Sequence, residues 1–378
     1  MTLPNSDHGV AGLSPAGFRA YKKVVQFIHS NRLDRGSRLP VQQELRHTLG
    51  LTNDALTRAM RLLCDQGVLD RKSKAGTRVV DRAAIPPLPW RLGVANVAAP
   101  EIGPLSVFSM LSHHVQIECA RRGWSTQTYY RFSRADGHPS FEEFGDLRAH
   151  LDAGQLDGLF LLTTVKPEQW SEPVADGVPL CHALFWDEAP CGVVLDRRAM
   201  AESAVAHLVE AGCRRIAAVV ATEADAANAR LREGLARGLA AAGPGLQGGQ
   251  VIVGDIGVPG GQAAAAKWLE MPDDIRPDGI IVFDDYIALG LAEALRERAG
   301  RARSEPPTIV TTSHRQMPLA YHLPVIRLEI DLHDIAAKTV AMMAKRLLRP
   351  REHQTLQYYV PQQVQQPHVA TGSSWDGL

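Results

Sequence analysis

No apolar run in the 378 residues approaches the roughly 18 residues that a membrane span requires, so neither a spanning helix nor a membrane partner is expected. Cysteine is scarce, and Cys64, Cys119, Cys181, Cys191 and Cys213 are odd in number, widely spaced and never arranged as Cys-x-x-Cys. That disfavours a disulfide framework and a structural zinc site, and predicts reduced, mostly buried thiols. The opening residues Met1 to His8 have neither a basic start nor an apolar core, so the expected compartment is the cytoplasm. Catalytic signatures are missing as well. No Gly-x-Ser-x-Gly elbow occurs, and Gly257-Val258-Pro259-Gly260-Gly261 lacks the lysine and hydroxyl residue of a phosphate-binding loop, reading instead as a turn before a helix. His113-His114 is the only adjacent histidine pair, and neighbours on a helix point about 100° apart, so it does not chelate one metal from one face. The expectation is a protein that is not an enzyme, with no metal and no cofactor.

Net charge is also lacking, yet the zero conceals an asymmetry: residues 1 to 82 carry 14 Lys or Arg against 7 Asp or Glu, and the remainder 27 against 34. A basic small domain joined to an acidic large one suggests that only the first meets nucleic acid. Within it, Tyr21, Val24, Val25, Phe27 and Ile28 form an apolar stripe that predicts a helix from about Gly17 to Asn31. Val41 to Leu49 and Thr52 to Gln66 repeat the helical spacing around Gly50-Leu51. Arg71 to Val79 then carries four basic side chains around Gly76, a pattern suited to a hairpin lying along a phosphate backbone. Two short helices and a basic hairpin predict a winged helix-turn-helix over residues 15 to 82.

The frame Arg38-Leu39-Pro40, Glu44-Leu45, Leu49-Gly50-Leu51-Thr52, Leu62-Leu63, Gly67-Val68-Leu69 and Gly76-Thr77 resembles the DNA-binding domain of GntR-type bacterial transcription regulators. The resemblance implies double-stranded DNA as a partner, with Arg38, Thr52, Asn53, Thr57, Arg58, Arg61, Lys72, Lys74, Gly76, Thr77 and Arg78 as candidate contacts. The family's Ser-Arg-x-Thr-Val-Arg run is replaced here by Thr52-Asn53-Asp54-Ala55-Leu56-Thr57. Asp54 would repel phosphate unless it caps the helix or accepts from a cytosine amino group. A degenerate head serving only assembly is the competing reading.

Pro86, Pro87 and Pro89 suit a stiff extended linker over residues 83 to 90. From Arg91 onwards short β-rich runs alternate with amphipathic stretches, the pattern of βαβ units and parallel sheets. So many units favour a bilobed α/β domain over residues 91 to 366. Gly192 to Arg198, Ala206 to Ala217, Arg230 to Leu235 and Pro277 to Leu295 resemble segments of the LacI-type effector-binding domain, a periplasmic-binding-protein-like fold. That resemblance implies a first lobe of about 91–190 and 326–350, and a second of about 191–324 and 353–366. A head fused to such a domain implies a homodimer that reads two half-sites.

Open α/β sheets bind ligands beyond the carboxyl ends of their strands. This selects Asn96 and Glu101, Trp186 and Asp187, and Asp284 and Asp285, with Arg230 or Arg232 as the bidentate cation and Trp186 as a stacking ring for a sugar, and the resemblance adds His314, in the place of the family's acidic turn. Where the family carries a Gly-Phe-Asp-Asp-like turn, this chain reads Thr311-Thr312-Ser313-His314-Arg315-Gln316. A sugar acid or other anion therefore fits as well as a neutral sugar. Two rivals remain open: a solute-binding protein of transport, and a head fused to a pyridoxal-phosphate enzyme. Lys166, Lys267, Lys338 and Lys345 stand in no context matching the second.

Overall fold

The computed structural model describes residues 13–72, 76–97, 107–131, 140–162, 178–184, 189, 191–220, 226–243, 246–255, 257–299, 305–350, 352 and 356–364. It opens with three helices, α1 (Pro15–Ser30), α2 (Gln42–Leu49) and α3 (Asn53–Asp65), and a hairpin of β1 (Leu69–Lys72) and β2 (Gly76–Val79). Ser14 caps α1 by accepting from the Gly17 amide, with Pro15 in the first turn where its missing N–H costs nothing. Gly50 ends α2 at φ 60°, a left-handed conformation that favours glycine. Thr52 caps α3. The hairpin pairs Leu69 with Val79 and Lys72 with Gly76, and Arg38 forms an isolated bridge to Arg78. A winged helix-turn-helix results.

Two parallel-rich sheets follow. The first runs β13 (Gln357–Tyr359), β7 (Gly192–Leu195), β6 (Leu180–Leu184), β5 (Gly158–Leu161), β3 (Arg91–Val97), β4 (Ser125–Arg131). It packs with α4 (Val107–Ala120), α5 (Leu147–Asp152) and α10 (Leu332–Leu348). The second runs β14 (Gln362–Val364), β12 (Val325–Ile330), β11 (Thr308–His314), β10 (Gly279–Val282), β8 (Arg215–Val220), β9 (Gln247–Val253). Its helices are α6 (Arg197–Glu210), α7 (Ala226–Ala242), α8 (Gly257–Glu270) and α9 (Asp285–Ala299).

The expected lobe limits need correction. Gly192 to Leu195, expected to open the second lobe, is a strand of the first sheet, paired with β6. Ile326 to Ile330, expected in the first lobe, belongs to β12, which pairs with β11 of the second. Backbone pairing decides membership, and the chain crosses between lobes just after each of these strands. Asp196 and Asp331 are the crossover residues, and each caps the helix beyond: Asp196 accepts from the Ala199 amide, Asp331 from His333 and Asp334. The third crossover joins Tyr359 to β14. There the Asp196 amide donates to the Tyr359 carbonyl at 3.0 Å and the Asp331 amide to its hydroxyl at 3.1 Å. All three crossovers leave the carboxyl ends of strands, so both sheets present those ends towards the junction.

The expected turn over Gly257 to Gly261 is instead the first part of α8. A Cβ on Gly261 would meet the Ile287 carbonyl at 2.0 Å, and one on Gly290 the Val258 carbonyl at 2.0 Å. These glycines let α8 and α9 touch backbone to backbone.

The 83–90 linker is also corrected. It holds a single 3-10 turn, Arg82–Ala84, and otherwise runs without regular structure, but Leu88 and Trp90 are buried. Lys22 of α1, 4% exposed, reaches 2.5 Å from Asp157 Oδ2 in the loop before β5, with the Phe18 and Trp90 rings 4.4 and 4.9 Å from its ammonium. Gln26 and Ser30 donate to the Leu347 and Leu348 carbonyls at the end of α10. The head is therefore packed on the first lobe rather than tethered at a distance.

Candidate functional site

The head presents an exposed polar face built from α2, α3 and the wing. Arg38, Asn53, Arg58, Arg61, Lys72, Gly76 and Arg78 are exposed, and Thr57 and Thr77 are half-buried. Thr52 is exposed and occupied as the α3 cap, accepting from the Ala55 amide. Lys74 lies outside the described residues. Asp54 neither caps nor waits for a base: it pairs with Arg58, with Arg58 Nη2 2.9 Å from its Oδ2. An i,i+4 pair cancels the charge that would repel phosphate, at the expense of one cation. Arg78 donates to the Gly36 carbonyl and Lys72 stands 3.5 Å from Asp70, leaving both heads near the surface.

Gln42 was not singled out by the sequence. Its Nε2 donates to Asn53 Oδ1 at 3.1 Å and Thr57 Oγ1 at 2.8 Å, and its Oε1 accepts from Arg71 at 3.0 Å. One side chain thus links α2, the recognition helix and the wing. Nothing in its local spacing distinguishes it from an ordinary solvated glutamine.

At the carboxyl ends of the strands the outcome is mixed. Glu101, Trp186 and Asp187 lie outside the described residues. Asn96 is fully buried and its amide donates to the Phe108 carbonyl, tying β3 to the first turn of α4. Arg232 is exposed, and Arg230 lies over the Tyr358 ring at the third crossover, 5.6 Å from its centroid. Two residues apart on a helix, the two point to nearly opposite sides. The cation that acts on Asp284 is Arg197, directly after the first crossover. It falls within the Gly192 to Arg198 segment, where local spacing does not mark it as a contact.

Asp284 accepts from the Ile287 amide at 2.9 Å and so caps α9; burial pushes its carboxyl upward, against the amide bonds and Arg197. Asp285 Oδ2 is buried without a hydrogen bond, 3.7 Å from His314 Nε2. An ion pair would lower the carboxyl and raise the imidazole, yet burial and the neighbouring Asp284 push Asp285 up to about 7, and burial pushes His314 down to about 4. Desolvation outweighs attraction here, so the pair is close to neutral. Tyr321, itself pushed up by burial, donates to the Asp285 carbonyl. Thr311, Thr312, Ser313 and His314 are all buried along β11, so the neutral run that replaces the family's acidic turn lines this corner.

Leu184 closes β6 at φ 78°. A buried leucine in the left-handed region costs on the order of 1–2 kcal/mol, and such strain gathers at ligand sites. It sits immediately before the segment carrying Trp186.

Two family models match separate parts of the chain. Residues 18–79 match the bacterial regulatory proteins of the gntR family, and residues 205–365 the periplasmic binding protein-like domain. The chain joins a GntR-family head to a periplasmic-binding-protein-like domain. An uncharacterized HTH-type transcriptional regulator from the aml 5' region of Streptomyces limosus is 29% identical over 208 residues, which is 53% of this chain and 56% of that protein. The chain thus matches little more than half of that relative. Among solved structures, the lac repressor dimer bound to operator and the anti-inducer ONPF has a TM-score of 0.60 at 19% identity, over 74% of this chain and 93% of that one. The Cra dual regulator of Pseudomonas putida with fructose 1-phosphate gives 0.57 at 17%, over 73% and 98%. A LacI-family regulator from Arthrobacter in complex with lactose gives 0.57 at 20%, over 74% and 98%. At these identities the likeness is one of fold. Among the described residues, no helix is long and apolar enough to cross a membrane.

Proposed function

We propose that this chain is a ligand-responsive, DNA-binding transcription regulator that acts as a homodimer in the cytoplasm and has no catalytic role. The observation that carries the proposal is mechanical: the head is fastened to the first lobe through Lys22, Asp157 and Trp90, while the second lobe joins the first through three closely hydrogen-bonded crossovers. A ligand that favours one closure of the lobes then changes where the heads of a dimer lie, which is how differential binding becomes altered DNA affinity. The ligand we infer is a sugar or sugar-derived anion at the carboxyl ends of the strands. Arg197 and His314 supply donors there, Asp284 an acceptor, and the structural relatives in complex with fructose 1-phosphate and lactose support that class. Asn96, Arg230 and Arg232 are not assigned to it, and Glu101, Trp186 and Asp187 remain proposed contacts.

The test has two arms. Affinity of the full chain for duplex DNA should fall steeply with salt, and replacing Lys72, Lys74 and Arg78 by alanine should weaken binding across sequences and flatten that slope by about 2 to 3 units. An unchanged affinity would remove the wing from the interface. A thermal-shift screen of sugars, sugar phosphates and sugar acids should then find a stabilising compound whose effect is lost in Arg197→Ala; stabilisation that survives that substitution would place the ligand elsewhere.

A further inference from the structure

Beneath α10, on the face of the first sheet away from the solvent, three sulfur atoms and one buried cation meet. Cys181 on β6 and Cys191, one residue before β7, occupy adjacent positions of neighbouring strands, since His182 pairs with Gly192. Both are fully buried, with their sulfurs 3.7 Å apart, and the Cys191 thiol donates to Met342 Sδ at 3.1 Å, a bond given up when Cys191 ionises. One turn further along α10 stands Arg346, 6% exposed, whose Nε has no hydrogen-bond partner and whose Nη2 reaches only the Pro350 carbonyl at 3.4 Å. Among the described residues no carboxylate pairs with it. A guanidinium taken out of water without a counter-charge is costly, so the group it faces has reason to be an anion.

We propose that Cys181 and Cys191 form a reversible dithiol–disulfide site, oxidised by hydrogen peroxide, with Arg346 as the positioning residue that favours the Cys191 thiolate. The hydrogen bond from Cys181 and the charge of Arg346 hold the Cys191 thiol below its ordinary value despite burial, whereas burial holds Cys181 well above its own. The division of labour follows. The Cys191 thiolate attacks one peroxide oxygen; the S–O bond forms as the O–O bond breaks, and hydroxide leaves. Cys181 sulfur then attacks the sulfenic sulfur, the S–S bond forms as S–O breaks, and the departing hydroxide takes the Cys181 proton as water. Two thiols and one peroxide give one disulfide and two waters.

Neighbouring strands lie about 4.8 Å apart, near the short end of the Cα separations that disulfides span, so closing the gap to about 2 Å needs little backbone movement. Burial keeps bulky disulfide oxidants out and makes a small peroxide the fitting reagent. Oxidation also removes the negative charge facing Arg346, in the last turn of α10, whose Leu347 and Leu348 carbonyls accept from the head. The site is thereby placed to loosen the docking of α1.

The reduced full chain, treated with millimolar hydrogen peroxide, denatured, alkylated and digested, reads the outcome directly. The tryptic peptide carrying both cysteines should emerge unalkylated, lighter by two hydrogens, and return to two alkylated thiols after dithiothreitol. Arg346→Met should slow bridge formation by roughly tenfold, the equivalent of about one pKa unit, with Arg346→Lys restoring much of the rate. Recovery of both cysteines as alkylated thiols, or of Cys191 as sulfinic acid beside a free Cys181, overturns the proposal. The wild-type measurement stands even where a variant fails to fold.

Discussion

In the head, consecutive elements are joined by short turns: Gly50, Leu51 and Thr52 separate α2 from α3, and residues 73–75 separate the two strands of the wing. In the two-lobed domain the order is broken three times, so β7 and β13 are neighbours although more than 160 residues lie between them. The contrast shows where cooperativity comes from. The head is held together by its own turns, caps and apolar stripe. Each sheet is completed by a strand that the chain delivers only after passing through the other lobe or back from it, and the crossovers are gathered at Tyr359.

The boundary between the two regions is the place to break the comparison hardest. Asp157→Ala would leave the Lys22 ammonium buried and unpaired; burial already pushes this lysine down, with Asp157 opposing. Removing one partner of a buried pair costs about 3 to 5 kcal/mol, and urea unfolding should register it as a loss of head docking, with the α1 amides exchanging faster. If stability is unchanged, head and lobe are independent and the latch is without consequence.

Within the second lobe, Asp285→Asn should change how stability depends on pH. The Asp285 carboxyl, raised from 3.8 to about 7, makes wild-type stability fall as pH rises through that window. His314, lowered from 6.5 to about 4, makes it rise between those values, so the two oppose each other. With Asn at 285 only the rising contribution stays, and the variant should gain on wild type by about 2 to 4 kcal/mol between pH 4 and 7.5. Parallel curves from urea titrations at several pH values would show that the Asp285 carboxyl is not raised as described.

Gly290→Ala tests the packing that distinguishes the second lobe. A Cβ 2.0 Å from the Val258 carbonyl must push α8 from α9, costing about 1 to 3 kcal/mol, while the salt-dependent DNA affinity of the head should stay near wild type. Equal losses in both regions would mean that the lobes and head unfold as one unit. The smallest change, Thr52→Ala, removes the α3 cap and should cost about 1 kcal/mol, seen as a slightly lower Tm with the cleft's ligand response intact.

Local chemistry makes the head legible in the sequence. A cap at Thr52, a left-handed glycine at 50 and apolar residues at helical spacing each act over a few residues, so helices expected at 17–31, 41–49 and 52–66 appear at 15–30, 42–49 and 53–65. The short late strands Gln357–Tyr359 and Gln362–Val364 were not legible, whereas the alternation of β-rich runs with amphipathic stretches from Arg91 onwards marked α/β units in the same way, because a fully buried strand is a run of apolar residues wherever it lies. Its partner strand is another matter. Apolar periodicity states which face is buried and never against what, so the lobe limits, the burial of Trp90 in a proline-rich segment, and the action of Arg197 on Asp284 were decided by the tertiary structure. The same holds for Gln42, for the Asp285–His314 corner and for Cys181 beside Cys191. Each depends on two or more segments meeting in space, and the desolvation that sets their charge states exists only once the chain has packed around them.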